Sequence, residues 1–226
     1  MHLRNSERKL GRNDFVPLIC LEGASGVGKT STAREIAKKS GSSMFIIPEV
    51  NYLFERPQNE EKTWYFEKQV ERFEMGKRKL ETYDTVILDG DIFQPLSYNW
   101  CFDFQIYNQS LDFIYNFYDN AIKEGRIDFP DKYYYLFTEQ KNLISRKEND
   151  HTRKRRNFEK HLKIAEPHKR YYETLNQFTP GYVRFIEATF LHENVNAIFN
   201  DKTNIPSKNS SEILEQISSW LSKNKA

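Results

Sequence analysis

The sequence predicts an α/β fold of three layers, in which helices flank a parallel sheet of five strands. Five short apolar runs recur along the 226 residues and alternate with segments of helical periodicity. Strands that alternate with helices predict a parallel sheet whose ligands lie at the carboxyl ends of the strands. The length suits one domain over 15–226, preceded by a charged arm over 1–14.

The predicted strands are the apolar runs, and the predicted helices are the amphipathic segments between them. In chain order the strands are 15–21, 43–48, 85–88, 132–138 and 182–187. The helices are 30–39, 60–83, two within 95–125, a mostly helical region over 140–178, then 192–199 and 211–221. Residues 51–59 are predicted to form a loop, since they include a proline and lack an apolar period.

Composition describes a polar protein, with 38% hydrophobic residues, a mean hydropathy of −0.78 and a net charge of +2. No apolar run approaches the ~20 residues of a membrane span, and the arm lacks the apolar segment of a secretory signal. Two cysteines give no disulfide framework. We therefore expect a cytoplasmic protein without membrane contact, and leave open whether it is a homodimer.

A glycine-rich stretch between the first strand and the first helix carries the strongest chemical signal. It fits G-x-x-x-x-G-K-[ST] and consists of Gly23, Ala24, Ser25, Gly26, Val27, Gly28, Lys29 and Thr30. Such a loop points its backbone N–H groups at phosphate oxygens, and the following helix adds its positive end. Lys29 would reach the β- and γ-phosphates, and the Thr30 hydroxyl would bind Mg²⁺. The stretch predicts binding of a nucleoside triphosphate, ATP with Mg²⁺.

Three further segments lie where a parallel sheet would bring them near this loop. Ile46-Ile47-Pro48-Glu49-Val50 ends the second strand, Trp64-Tyr65-Phe66-Glu67-Lys68-Gln69 lies in the second predicted helix, and Asp89-Gly90-Asp91 ends the third strand. With the loop, these segments resemble the nucleoside and nucleotide kinases among the P-loop proteins, the deoxynucleoside kinases and thymidylate kinases in particular. The resemblance implies a three-layer P-loop kinase fold with an Arg-rich helical lid.

The resemblance also implies roles for individual residues. Glu49 would take the proton from the accepting hydroxyl, a task that its place at a strand's carboxyl end also favours on chemical grounds. Trp64 and Gln69 would bind the acceptor, with Gln69 pairing with the edge of a base. Asp89 would hold Mg²⁺ together with Thr30. Asp91 is the alternative candidate for the proton acceptor because it too follows a strand.

The Asp-Gly-Asp segment departs from both kinase groups. Deoxynucleoside kinases have Glu-Arg-Ser at a similar place and thymidylate kinases have Asp-Arg, whereas this chain lacks the arginine and has Pro95 where an acid is expected. A nucleoside-like acceptor is the preferred interpretation. A non-nucleoside metabolite or antibiotic remains the alternative.

A basic run follows the fourth strand. Between 146 and 163 lie eight of the 34 Lys and Arg residues, and the resemblance implies a lid over about 139–163. Arg146 would hold the triphosphate, while Arg153 and Arg156 would neutralise charge during transfer, since the planar guanidinium binds phosphate in a bidentate way.

Other functions of a phosphate-binding loop fit less well. No Asn-Lys-x-Asp motif supports a GTPase, and Asp89 is followed by glycine where a mechanical ATPase would have glutamate. A kinase of polynucleotide 5′-hydroxyl ends ranks lower, because the basic residues are confined to one segment. A nucleotide phosphate is a less favoured acceptor than a hydroxyl. We therefore predict a small-molecule kinase that does not bind nucleic acid.

Overall fold

The computed structural model describes residues 18–150 and 158–226. Its sheet has five parallel strands in the order β2-β3-β1-β4-β5. They are β1 (Leu18–Gly23), β2 (Met44–Ile47), β3 (Thr85–Asp89), β4 (Lys132–Phe137) and β5 (Val183–Glu187). The predicted five-stranded parallel sheet flanked by helices is confirmed, with strand ends within a few residues of those expected.

The helices follow the predicted order, with differences at three places. They are α1 (Lys29–Lys39), α2 (Val50–Leu53), α3 (Trp64–Lys79), α4 (Gln94–Trp100), α5 (Leu111–Lys123), α6 (Gln140–Glu148), α7 (Phe158–Lys163), α8 (Ala165–Phe178), α9 (Leu191–Phe199) and α10 (Ser210–Lys223). The short α2 opens a region predicted as loop, α3 is shorter than the predicted helix, and the region over 140–178 contains three helices. None of the described helices is long and apolar enough to cross a membrane.

The core has one apolar cluster on each face of the sheet. Alternate residues of β1 point to opposite faces, so that Cys20 belongs to one cluster and Leu21 to the other. Buried residues of α3, α4, α5, α8 and α10 cover the first face, and those of α1, α6 and α9 cover the second. Because both faces are covered, all six residues of β1 are buried, which explains its continuous apolar pattern.

The position of β1 in the middle of the sheet decides where ligands can bind. It pairs with β3 on one side, where Cys20 lies opposite Leu88, and with β4 on the other, where Cys20 lies opposite Tyr133. The glycine-rich loop therefore leaves the sheet between the carboxyl ends of two neighbouring strands. Crevices at this edge are the usual ligand sites of open α/β sheets.

Candidate active site

A cavity of about 1260 Å³ opens at the carboxyl ends of the strands. All eight residues of the glycine-rich loop line it, together with the ends of β1, β2 and β3. Ligand pockets of proteins commonly measure ~300–1,000 Å³. The cavity therefore has room for two ligands side by side, which a direct transfer from donor to acceptor requires.

The glycine-rich loop has a shape that only glycine allows at its first position. Gly23 has φ +139°, and a Cβ built there would lie 2.1 Å from the carbonyl oxygen of Leu136 on β4. Lys29 folds back over the loop, and its Nζ donates to the Gly23 carbonyl at 2.7 Å. The lysine ammonium therefore lies at the centre of the loop, where a bound phosphate would need its charge.

Two side chains that could hold a metal ion lie beside the loop. The Thr30 hydroxyl donates to Asp89 Oδ2 at 2.7 Å, while Oδ1 of the same carboxylate is buried and accepts no hydrogen bond from the described residues. Burial raises the pKa of Asp89, and the nearby Lys29 ammonium opposes that rise. A buried oxygen without a donor fits a hydrated cation. Mg²⁺ needs one or two such protein groups when substrate phosphates supply the other ligands, so Thr30 and Asp89 fit it.

The carboxylate of Glu49 lies against the turn that follows Asp89. Gly90 has φ +87°, and a Cβ at this glycine would lie 3.3 Å from Cγ and 3.7 Å from Oε1 of Glu49. Glu49 also precedes α2, but its side chain does not cap that helix. It lines the cavity half-buried, and its carboxylate accepts no hydrogen bond within the described ranges. The group is therefore available to a ligand.

Asp91 differs from Glu49 because hydrogen bonds occupy both of its oxygens. Oδ1 accepts from the hydroxyl of Tyr133 at 2.8 Å and from the backbone N–H of Phe93 at 3.0 Å, and Oδ2 accepts from the Tyr172 hydroxyl at 2.8 Å. Burial raises its pKa to about 6. Although Asp91 also lines the cavity, these bonds favour Glu49 as the group that meets a substrate proton.

Glu22 is a cavity residue that sequence reasoning missed. Its side chain is buried at the end of β1, where Oε2 accepts the N–H of Asp91 at 2.7 Å and Oε1 accepts the N–H of Gly23 at 2.8 Å. Oε1 also lies 3.7 Å from Lys29 Nζ. Glu22 thus links the phosphate loop to the turn after β3. An acid between the first apolar run and the loop was the available signal.

Arg72 of α3 is a second residue that the sequence did not reveal. The guanidinium is buried and donates to the carbonyls of Pro48 at 2.8 Å, Asp89 at 2.9 Å and Gly90 at 3.0 Å, and to Gln69 Oε1 at 2.6 Å. It therefore ties the carboxyl ends of β2 and β3 to each other and to α3. The sequence lacks an arginine after β3, and α3 supplies a guanidinium to that place.

Arg146 of α6 joins the phosphate loop to the segment after β5. Its guanidinium donates to the carbonyl of Val27 at 2.9 Å and to those of Ala188 and Thr189. Arg146 also lines the cavity. Its role in holding a triphosphate stays a prediction.

Similarity to known proteins appears in structure alone: no protein-family model and no curated protein sequence matches the chain. Deoxyadenosine kinase from M. mycoides with bound dATP superimposes with a TM-score of 0.52 at 18% identity, over 81% of this chain and 97% of that one. The same kinase with the products dCMP and dCDP gives a TM-score of 0.53 at 20% identity, with the same coverage. The chain shares this kinase's fold. A thymidylate kinase from Ehrlichia chaffeensis gives a TM-score of 0.49 at 16% identity, over 81% of this chain and 94% of that one.

The structure places Trp64 and Gln69 of α3, which were predicted to bind the acceptor, against other side chains. Trp64 is half-buried with the Arg56 guanidinium 6.0 Å from its ring centroid, and Gln69 is buried against Arg72. Among the described residues that line the cavity, α3 contributes neither of them but does contribute Tyr65. A direct contact between the acceptor and Trp64 or Gln69 stays a prediction.

The predicted lid is described in part. Its first helix is α6 and its last is α7, and Phe158 of α7 packs in the same apolar cluster as Val27 of the loop. Arg153 and Arg156 lie outside the described residues. The lid and the roles of these two arginines therefore stay predictions.

Proposed function

We propose that the chain is an ATP- and Mg²⁺-dependent phosphotransferase that moves the γ-phosphate to a hydroxyl group of a small, nucleoside-like molecule. One arrangement carries the proposal: the bond between Thr30 and Asp89 beside the loop, with the unoccupied carboxylate of Glu49 against the next residue, Gly90. A donor site and a candidate proton acceptor thus meet at one turn of the chain.

The donor would bind along the glycine-rich loop. Backbone N–H groups and the amino end of α1 favour its phosphates, and Lys29 adds a positive charge. When bound at Thr30 and Asp89, Mg²⁺ would neutralise charge on the β- and γ-phosphates. Arg146 would support the loop through Val27, and Arg153 and Arg156 are proposed to close over the transferred group.

The acceptor hydroxyl would lie between the γ-phosphate and Glu49. Its carboxylate would orient the hydroxyl and accept the proton as the oxygen attacks phosphorus. Arg72 binds the carbonyl of Pro48, which precedes Glu49, and Gly90 packs against the Glu49 side chain. The carboxylate would therefore need little reorganisation during the reaction.

Two observations support a nucleoside-like acceptor over another metabolite. The rings of Tyr65, Phe66, Tyr98 and Tyr107 line the cavity, and flat rings pack well on such walls. The structurally similar kinase from M. mycoides, by its name, acts on deoxyadenosine. A sugar or antibiotic acceptor stays the alternative, since the departure after β3 removes an arginine that deoxynucleoside kinases have.

An ADP-release screen of the purified chain tests the proposal. ATP and Mg²⁺ are held fixed while nucleosides, nucleotides, sugars, aminoglycosides, chloramphenicol and a 5′-hydroxyl oligonucleotide are compared. Release that depends on a nucleoside, and phosphate found on that nucleoside by mass spectrometry, is the expected result. ADP release with a sugar or an antibiotic but with no nucleoside would show that the acceptor is not nucleoside-like. ADP release that no acceptor stimulates would contradict phosphotransfer.

A further inference from the structure

The helix that follows Asp91 forms one wall of the cavity, and its polar side chains are not explained by folding alone. In α4 every residue except Gln94 is buried, yet both Gln94 and Asn99 line the cavity. We call the part of the cavity around Glu49, Tyr65, Gln94 and Asn99 the acceptor end. Two side-chain amides are therefore present where a substrate would meet Glu49.

The orientation of the Gln94 amide is fixed by one hydrogen bond. The Tyr65 hydroxyl donates to Gln94 Oε1 at 2.6 Å. Because this oxygen is engaged, the amino group of the amide lies on the other side and has no partner among residues 18–150 and 158–226. Gln94 therefore offers N–H donors to the acceptor end.

Asn99 offers the complementary group. Its Nδ2 donates to the Pro95 carbonyl at 2.7 Å and to Gln109 Oε1 at 3.4 Å, and both of these partners require a donor. The amide is thereby oriented with Oδ1 left over. This oxygen is buried and has no hydrogen-bond partner in the described part of the chain. A buried acceptor without a donor is unfavourable until a ligand supplies one.

The charges around the acceptor end argue against a phosphorylated ligand. Of the cations there, Arg56 is paired with Glu60 and Arg72 is bound to three backbone carbonyls and Gln69. Two histidines also line the cavity, His168 buried and His161 half-buried. Their removal from solvent lowers the pKa of His161 to about 4 and that of His168 to about 3. Both imidazoles are therefore uncharged at neutral pH. None of these four side chains therefore offers an unpaired positive charge to a phosphate group.

We propose that Gln94 and Asn99 recognise an uncharged substrate. This substrate would accept a hydrogen bond from the Gln94 amide and donate one to Asn99 Oδ1. A nucleoside has such a pair on the edge of its base, whereas a nucleoside monophosphate adds two charges that Arg56, Arg72 and the two histidines do not balance. This inference rests on the proposed phosphotransfer to a nucleoside-like molecule and narrows the class of that molecule. The phosphate acceptor is a nucleoside rather than a nucleotide.

Binding and turnover are measured separately to test this inference. Isothermal titration calorimetry compares each nucleoside with its 5′-monophosphate, in the presence of Mg²⁺ and a non-hydrolysable ATP analogue, and ADP release follows turnover of the same compounds. We expect at least one nucleoside to bind and to be phosphorylated, and its monophosphate to bind at least about tenfold more weakly. Preference for monophosphates, or no binding of any nucleoside, would overturn the inference.

Two substitutions test the role of Gln94. Gln94→Leu removes the donor, and Gln94→Glu removes it while keeping the bond from Tyr65. Each should lower kcat/KM for the nucleoside by about 10- to 100-fold, the usual effect of a lost buried hydrogen bond, with the KM for ATP unchanged. Gln216→Leu on α10 is the matched control, since Gln216 bonds only within its own helix.

The outcomes also separate this inference from the proposed function. An unchanged nucleoside kcat/KM in a folded Gln94→Leu protein would overturn the recognition role while leaving phosphotransfer intact. Nucleoside binding that Gln94→Leu weakens, without any ADP release by the wild type, would support the inference and contradict the proposed function. Circular dichroism confirms the fold of each variant.

Discussion

The hydroxyl of Thr30 lies 2.7 Å from Oδ2 of Asp89, so that the first turn of α1 is bonded to the last residue of β3. A bond between a loop threonine and a strand-end carboxylate brings together the two side chains that Mg²⁺ would need. The second oxygen of Asp89 has no donor in the described residues.

Asp89→Asn should weaken Mg²⁺ binding by about 10- to 100-fold, the usual effect of losing a group that supports a bound metal. The measurement is the Mg²⁺ concentration that gives half-maximal ADP release at saturating ATP. Asp84→Asn, at the opposite end of β3, serves as the control and should leave this concentration unchanged. Equal Mg²⁺ dependence in the Asp89→Asn variant and the wild type would contradict the metal site.

Lys29→Ala should leave a folded protein with phosphotransfer nearly abolished, because this ammonium lies against the Gly23 carbonyl at the centre of the loop. ADP release and circular dichroism measure activity and folding. Lys38→Ala, at an exposed position of the same helix, should behave like the wild type. Activity within tenfold of the wild type in the Lys29→Ala protein would mean that the loop is not the donor site.

Glu49→Gln should lower kcat by ~10²–10⁴-fold, the usual contribution of a general base, with the affinity for ATP almost unchanged. The comparison is Asp91→Asn under saturating ATP and Mg²⁺. We expect Glu49→Gln to be the more severe of the two in kcat, since its carboxylate is unoccupied and Asp91 is held by two tyrosines. The reverse order would assign the proton to Asp91.

Asp91 should make the stability of the protein depend on pH in a defined direction. Burial raises its pKa from 3.8 to about 6 in the folded protein, so the folded state binds the proton more tightly than the unfolded state. Its contribution is present in full below pH 4 and is lost as the pH rises through 6, by about 3 kcal/mol in all.

Urea unfolding at pH 4.5 and pH 7.5 measures this effect. The free energy of unfolding of the wild type should fall between these values relative to that of Asp91→Asn, in which the group cannot titrate. A constant difference between the two proteins would show that Asp91 is not responsible.

Replacing Arg153 and Arg156 together by Ala should lower kcat by about 10²-fold or more, given the contribution of an arginine that stabilises a transferring phosphoryl group. The KM for ATP should change less, since charge develops mainly during transfer. Lys77→Ala with Arg78→Ala, an exposed basic pair on α3, controls for the loss of two positive charges. Normal turnover in the Arg153/Arg156 variant would reduce the basic run to a solvated surface.

The sequence predicted the sheet and the place of the glycine-rich loop at its edge because both depend on local patterns. Strands buried on both faces are continuous apolar runs, and the loop has fixed residues at fixed spacing. Glu49 could be predicted for a related reason: the end of β2 places it at the ligand edge whatever the helices do.

The contribution of α3 to the acceptor end could not be predicted, because it depends on how this helix is rotated about its axis. Consecutive helix residues lie 100° apart, so packing that buries Phe66 and Arg72 brings Tyr65 into the cavity and leaves Trp64 outside it. Arg72 was missed for a different reason. The carbonyls that bind it come from segments distant in sequence, and an isolated arginine in an amphipathic helix usually indicates an exposed position.

The buried guanidinium of Arg72 fixes the carboxyl ends of β2 and β3 relative to each other. Because it bonds to the carbonyls of Pro48, Asp89 and Gly90, one side chain holds the main chain beside Glu49 and that of Asp89 together. A motion of either strand end would therefore carry the other with it.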